Sequence, residues 1–314
     1  MTTIVEANNL VKQYPGSQEP AVRGVSFTIL QGEIFGFLGP NGAGKTTTIS
    51  MLACLLKPTD GRATVAGFDV TRQSTQVKRQ IGLVPQDLAL YPTLSARDNL
   101  LFFGRIYDLH GADLRRRVND ALEIVGLSDR ADDAIETFSG GMKRRVNIAA
   151  GLLHQPKVLF LDEPTVGVDP QSRNFIFENV ESLNQSGMTV IYITHYMEEA
   201  QRLCDRVAIV DEGQIIALDT PKALINSLGG GVIYLGLPPN MPEAIIEKVK
   251  QLPNVLNAAQ QDGKLEITAQ HAQQVLISVI ELFNEADISI TSLEIHEPNL
   301  ETVFLHLTGK RLRD

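Results

Sequence analysis

Ile34-Phe35-Gly36-Phe37-Leu38-Gly39-Pro40-Asn41-Gly42-Ala43-Gly44-Lys45-Thr46-Thr47 is the stretch on which the reading of the whole chain turns. From Gly39 to Thr46 it meets the spacing G-x-x-x-x-G-K-[ST] in full. Ile34 to Leu38 reads as a buried strand, and Thr46 to Leu56 as a helix with Ile49, Leu52, Ala53 and Leu56 at helical spacing. Strand, glycine-rich turn and helix N-terminus together make a phosphate cradle. Glycines let backbone N–H groups approach the anion, and the helix dipole favours negative charge there. Gly39, Pro40, Asn41, Gly42, Ala43, Gly44, Lys45, Thr46 and Thr47 are therefore the candidate nucleotide-binding residues. Lys45 is placed to reach the β- and γ-phosphates and the Thr46 hydroxyl to hold Mg²⁺. A glycine-rich turn with a chance lysine is the plainer alternative, and the strand and helix on either side weigh against it.

A chain of 314 residues suggests two domains. Hydrophobic content of 43% and charged content of 21% are those of a soluble globular protein with a real core. The net charge of −9 offers no general invitation to nucleic acid or anionic lipid. Acidity is concentrated towards the end, with 6 Lys/Arg against 11 Asp/Glu from Gly229 onward. Cys54 and Cys204 stand far apart in apolar helical contexts, which argues for a reducing compartment and against a disulfide framework or zinc site. Met1-Thr2-Thr3 leads straight into a strand pattern, so no secretory signal is expected. No run approaches the roughly 18 apolar residues that cross a bilayer, so a membrane role would need another subunit to supply the span.

Ile4 to Tyr14 and Ala21 to Leu30 read as strands, the second alternating at Val25, Phe27 and Ile29. A short strand is expected at Ala63 to Ala66, and another at Ile81 to Pro85. From Ser95 to about Leu153 the texture is helical, with one apolar stripe at Leu100, Phe103, Ile106 and Tyr107 and another at Leu114, Val118, Ala121, Leu122 and Val125. Strand texture returns at Val158 to Leu161, Thr189 to Thr194, Val207 to Val210 and Ile215 to Leu218. Alternating strands and helices imply a parallel sheet covered on both faces, with the helical stretch inserted. Leu228-Gly229-Gly230-Gly231 is the expected domain boundary. Beyond it the order is strand, helix, strand, strand, helix, strand, with Ile288 to Ile295 as the last strand, a hairpin signal at Asp262-Gly263 and a closing helix after Pro298. That order is the split arrangement of ferredoxin-like domains.

Val158-Leu159-Phe160-Leu161-Asp162-Glu163-Pro164 delivers two carboxylates at a strand's C-terminal end, where open α/β sheets bind ligands. Asp162 is placed to help hold Mg²⁺, which leaves Glu163 to orient or deprotonate an attacking water. With Phe138-Ser139-Gly140-Gly141-Met142 at the start of a helix, the chain resembles the ATP-binding subunit of an ABC transporter over Ile4 to about Leu224. Its Ser139, Gly140 and Gly141 match the phosphate-facing core of the family signature L-S-G-G-Q; Phe138 and Met142 depart from it in a manner similar to exporter ATPases.

The resemblance implies an α/β fold: a P-loop NTPase core with an antiparallel β subdomain and a helical insertion at about 87–155, spanning 1–228. A small α+β ferredoxin-like domain at 229–314 follows, and its tail is similar to that of exporter ATPases with a separate permease. It implies that Gln86 is the Q-loop glutamine near Mg²⁺ and the attacking water, and His195 the switch histidine on the γ-phosphate. Tyr14 would stack on adenine and Asp169 would lie at a dimer seam, although Asp169 also suits an ordinary N-cap before Pro170. Lys45, Gln86, Glu163 and His195 are the expected catalytic residues, with Thr46, Gln86 and Asp162 on the metal. ATP and Mg²⁺ are the expected cofactors. The expected partners are a second copy, in a homodimer sandwiching two ATP, and separate transmembrane permease subunits docking near Asp87 to Ser95. The chain itself would be cytoplasmic, peripheral on the inner face of the cell membrane through the permease, with no span of its own and no nucleic acid. The basic clusters Arg115-Arg116-Arg117 and Lys143-Arg144-Arg145 read as solvated helix faces.

Other classes fit less well. A soluble ABC-type ATPase acting as a mechanical switch on a non-membrane partner is the alternative. A DNA-repair or chromosome ATPase would need a long heptad insertion between Lys45 and Ser139. A translation-factor relative would carry two phosphate loops, and a GTPase an Asn-Lys-x-Asp run; none of these occurs. A catalytically dead module would have lost Glu163 or His195.

Overall fold

The structure, a computed structural model of the chain, describes residues 2–227, 230–237, 243–261, 264–286, 288–296 and 298–308. Its contacts divide the chain between Pro221 and Lys222 into two compact units. Leu228-Gly229 and the hairpin signal Asp262-Gly263 lie outside the described residues.

In chain order the first unit runs β1 (Thr3–Lys12), β2 (Val22–Leu30), β3 (Ile34–Leu38), α1 (Lys45–Leu52), β4 (Asp60–Val65), β5 (Phe68–Asp69), α2 (Ser74–Gln80) and β6 (Ile81–Val84). Three helices follow, α3 (Ala96–Ile106), α4 (Gly111–Ile124) and α5 (Gly140–Leu152). The unit then completes itself with β7 (Val158–Asp162), α6 (Pro170–Gln185), β8 (Thr189–Thr194), α7 (Met197–Leu203), β9 (Arg206–Asp211) and β10 (Gln214–Asp219). One sheet is antiparallel, in the order β2-β1-β4-β5. The other has the order β10-β9-β3-β8-β7-β6 and is parallel except for its edge strand β10.

Sequence pattern accounts for both sheets. Every residue of β3, β7 and β8 is buried, as unbroken apolar runs demand of central parallel strands. In β2 the buried Val25, Phe27 and Ile29 alternate with more open positions, the pattern of a sheet with one covered face. The rings of Phe27, Phe35 and Phe37 meet with centroids 5.1–5.9 Å apart and join the two sheets in one core.

Some expectations need correction. Helix α1 stops at Leu52 rather than Leu56, because Cys54 takes a left-handed φ of +59° and the amides of Leu55 and Leu56 both turn back to the Ser50 carbonyl. Leu56 still packs on the core, so a turn satisfies the apolar spacing that suggested a longer helix. Helix α2 was not foreseen, since Val77 is its one buried residue and leaves no stripe to read. In the helical insertion Ile106 is 61% exposed, off the stripe on which Leu100 is buried.

α8 (Pro221–Ser227) starts at the division, and the second unit continues as β11 (Val232–Gly236), α9 (Glu243–Lys250), β12 (Val255–Gln261), β13 (Lys264–Ala269), α10 (Ala272–Glu285), β14 (Ser292–His296) and α11 (Leu300–Thr308). Its sheet is antiparallel, ordered β12-β13-β11-β14, the arrangement of a ferredoxin-like fold. Ile233 and Leu235, with Leu265 and Ile267, face Val275, Val279 and Phe283 of α10 in its core. Pairing of β14 begins at Ser292, later than expected, and Ile288 and Ile290 pack on that core ahead of the strand.

Candidate active site

Between β3 and α1 the chain makes its phosphate-shaped turn. A side chain at Gly39 would put its Cβ 2.1 Å from the Val210 carbonyl oxygen on β9, so only glycine fits there. Gly44 takes the N-cap of α1 at φ +96° and supplies no side-chain acceptor to the helix amides. The Gly213 amide donates to the Ala43 carbonyl at 3.0 Å and fastens the turn to the β9–β10 hairpin. Lys45, 5% exposed, donates through Nζ to the carbonyls of Gly39 at 2.7 Å and Pro40 at 3.0 Å, and lies 4.0 Å from Glu163 Oε1. Burial pushes its ammonium below the ordinary lysine range, against the opposing pull of Glu163 and Asp162. At the far end of the turn, the Tyr14 hydroxyl lies 3.3 Å from Thr47 Oγ1, and the residue is 40% exposed.

Three further strand ends converge on this turn. Asp162 is the last residue of β7, and Thr46 Oγ1 donates to its Oδ1 at 3.5 Å. Burial raises the Asp162 carboxyl above its ordinary range and the neighbouring Glu163 charge adds to the rise, while Thr46, Lys45 and Arg144 oppose it. Glu163 stands at φ +46°, its amide donating to the Ile193 carbonyl of β8 at 3.0 Å. Gln86, just past β6, donates through Nε2 to Glu163 Oε2 at 3.1 Å. His195, just past β8, donates from Nδ1 to Glu163 Oε1 at 3.0 Å. Lys45, Gln86, Asp162, Glu163 and His195 are thus brought into one cluster by the C-terminal ends of β3, β6, β7 and β8. A hydroxyl and a carboxylate oxygen at one point, with the carboxylate charge under-compensated, suit a small hard cation that also binds phosphate oxygens.

Ser139, Gly140, Gly141 and Asp169 form a second cluster of their own. Ser139 caps α5, its Oγ accepting from the Met142 amide at 3.2 Å. Asp169 caps α6 by accepting from the Ser172 amide at 2.9 Å, the ordinary N-cap geometry expected ahead of Pro170. A Cβ at Gly141 would fall 2.2 Å from Ser172 Oγ, so the two helix starts abut.

The reading of Lys143-Arg144-Arg145 as a solvated face is wrong for Arg144, which is 5% exposed. Its guanidinium donates to the carbonyls of Pro85 at 2.9 Å and Gln86 at 2.6 Å, holding the backbone of the glutamine that reaches Glu163. Arg145 lies over the Phe175 ring at 4.5 Å. The signal for Arg144 was its register, since Gly141, Ile148 and Gly151 share its side of α5 and all are buried. Arg115 and Arg116 are exposed as expected, whereas Arg117 is half-buried and donates to Asp113 and to the Leu153 carbonyl.

Comparison with known proteins agrees with this geometry. The family model described as ABC transporter matches residues 22–166. The linearmycin resistance ATP-binding protein of Bacillus subtilis (strain 168) is 46% identical, over 99% of this chain and 100% of that protein. A Nod factor export ATP-binding protein of Ralstonia nicotianae is 36% identical, over 100% of this chain and 96% of that one. Among solved structures, a dimeric ATP-binding cassette in a post-hydrolysis state with ADP and phosphate superposes with a TM-score of 0.63 at 28% identity, covering 69% of this chain and 98% of that one. With a relative this similar along its whole length, and with lysine, paired carboxylates, glutamine and histidine gathered at one sheet end, the chain belongs to the ABC transporter family as an ATP-binding, ATP-hydrolysing subunit.

Proposed function

We propose that the chain drives a separate membrane permease, as the motor of an exporter, by dimerising around two ATP molecules and reopening after hydrolysis. The nucleotide phosphates rest on the Gly39–Thr47 turn, with Lys45 on the β- and γ-oxygens and the Tyr14 ring against adenine. Thr46 and Asp162, joined by Gln86, would hold Mg²⁺, which when bound would neutralise charge on the phosphate oxygens. Glu163 accepts a proton from the attacking water, and its hydrogen bonds to Gln86 and His195 fix the direction of its oxygens. His195 also faces the γ-phosphate.

The observation that carries this reading is the single cluster of Lys45, Gln86, Asp162, Glu163 and His195, with the Ser139 tip satisfied by its own helix elsewhere. A complete hydrolytic site then needs the Ser139-Gly140-Gly141 tip of a second copy, and Asp169 lies at the seam between them. A permease suits the groove of about 460 Å³ lined by Leu55, Leu83, Ile106 and Tyr107. Leu88 and Tyr91, in the segment after Gln86, add exposed apolar surface for the same contact. Among the described residues no helix is long and apolar enough to cross a membrane, and in this reading the chain attaches at the cytoplasmic face through the permease. The segment 229–314, which makes up most of the second unit, is read as an accessory domain outside the chemistry.

Glu163→Gln tests the catalytic core of the proposal. Steady-state hydrolysis is expected to fall by about 10³-fold while ATP binding persists and a dimer accumulates in sedimentation. Normal turnover in that variant would remove Glu163 from the role of base. Chelating Mg²⁺ should abolish turnover and adding it back should restore it. Mixing Lys45 and Ser139 variants should leave activity from one intact site; none at all would refute the shared geometry.

A further inference from the structure

Behind the Glu163–His195 pair lies a buried carboxylate with no part in the scheme above. Glu199, on α7, is 3% exposed. Its Oε1 accepts from Thr165 Oγ1 at 2.6 Å, and its Oε2 from the Tyr192 hydroxyl at 3.0 Å and Thr194 Oγ1 at 2.9 Å. Among the described residues these hydroxyls are its hydrogen-bond partners, and no cation pairs with it. Burying a carboxylate without a cation is costly, and an apolar side chain would fill the same space more cheaply.

The donors explain what the carboxylate achieves. Thr165 is two residues past Glu163, in the turn where the Val166 amide donates to the Glu163 carbonyl at 3.3 Å. Thr194 immediately precedes His195, and its Oγ1 accepts from the Tyr196 amide at 2.9 Å. Glu199 therefore bridges the turn that carries the base to the strand end that carries the histidine. The 3.0 Å contact between Glu163 Oε1 and His195 Nδ1 depends on how those two segments sit against each other.

We infer that Glu199 is a positioning residue for hydrolysis, setting the Glu163–His195 geometry through Thr165 and Thr194; this rests on the catalytic reading of that pair. The test measures ATP turnover and nucleotide binding by the full chain. Thr165→Val, which keeps shape and removes one donor, and Glu199→Leu should each lower kcat about tenfold, with KM and nucleotide Kd within about twofold. Glu199→Gln should recover most of the rate, because its carbonyl oxygen still accepts from Tyr192 and Thr194 while its amide donates to Thr165 Oγ1. In a Glu163→Gln background, Thr165→Val should add no further loss in single-turnover hydrolysis, since the carboxylate whose turn it helps to place is gone.

Full kcat in Thr165→Val would overturn the inference, as would full kcat in Glu199→Leu or an additive loss on top of Glu163→Gln. If Glu199→Leu fails to fold, Thr165→Val decides alone. Normal turnover in Glu163→Gln would instead bring down the catalytic reading, whereas an inactive Glu163→Gln beside a fully active Thr165→Val would bring down the Glu199 inference only.

Discussion

Helices α1 and α5 both begin at an anion-shaped tip, yet they begin differently. The N-cap of α1 is Gly44, left-handed and without a side-chain acceptor, and Lys45 is buried at its first position. The N-cap of α5 is Ser139, extended at φ −63° and ψ 163°, whose Oγ already accepts from the Met142 amide. An N-terminus without a side-chain cap keeps its amides for a phosphate and leaves the isolated fold less satisfied. One that caps itself is stable alone and can meet an anion brought to it from outside. Under the proposed function, the first tip would serve the chain's own nucleotide and the second the nucleotide of another copy.

The strongest way to break that contrast is at the first tip. Lys45→Ala should cut hydrolysis by about 10³-fold and weaken ATP binding to the isolated chain, both read from one titration. At the second tip, Ser139→Ala should slow hydrolysis by about 10²-fold and leave ATP affinity of the isolated chain unchanged. Equal losses in affinity and turnover would place the serine on its own chain's nucleotide and erase the distinction. Tyr14→Ala sharpens the first tip further, with ATP binding about tenfold weaker and Tyr14→Phe close to wild type, as stacking by the ring requires.

The smallest effect is on stability. Asp162 is held protonated more readily in the folded chain than outside it, so its contribution is complete below the ordinary carboxylate value and lost as pH rises through the raised folded value. Asp162→Asn should therefore melt a few degrees higher than wild type at neutral pH, at about 2–4 °C per kcal/mol, while losing turnover. The gap should narrow as the solution is acidified, and calorimetry across pH checks the sign. A gap that widens would mean that neighbouring cations outweigh burial at this carboxylate.

Much of this is legible in the sequence, for physical reasons. Buried parallel strands read as apolar runs, and β3, β7 and β8 announced themselves in that way. Gly39 and Gly44 were legible because their backbone demands are met by one residue type. What escaped were polar groups whose burial depends on distant backbone. Arg144 sits in a basic triplet that looks solvated, and the carbonyls that its guanidinium meets, those of Pro85 and Gln86, lie far off in the chain. Glu199 lies beside Glu198 in a helix rich in polar residues, and its three hydroxyl partners come from Thr165, Tyr192 and Thr194. Helix α2 hid because one buried valine makes no periodicity, and α1 looked too long because a turn can place leucines where a helix would.

Glu163 carries one more implication through its φ of +46°. Left-handed backbone is costly for most side chains and free for glycine, with asparagine and aspartate close behind. Descendants of this gene that gave up hydrolysis would be released from that tension by drifting to Gly or Asn at position 163, and a β-branched residue would be kept out even where chemistry no longer mattered. The main chain, as much as any chemistry, writes the list of residues that position 163 can hold.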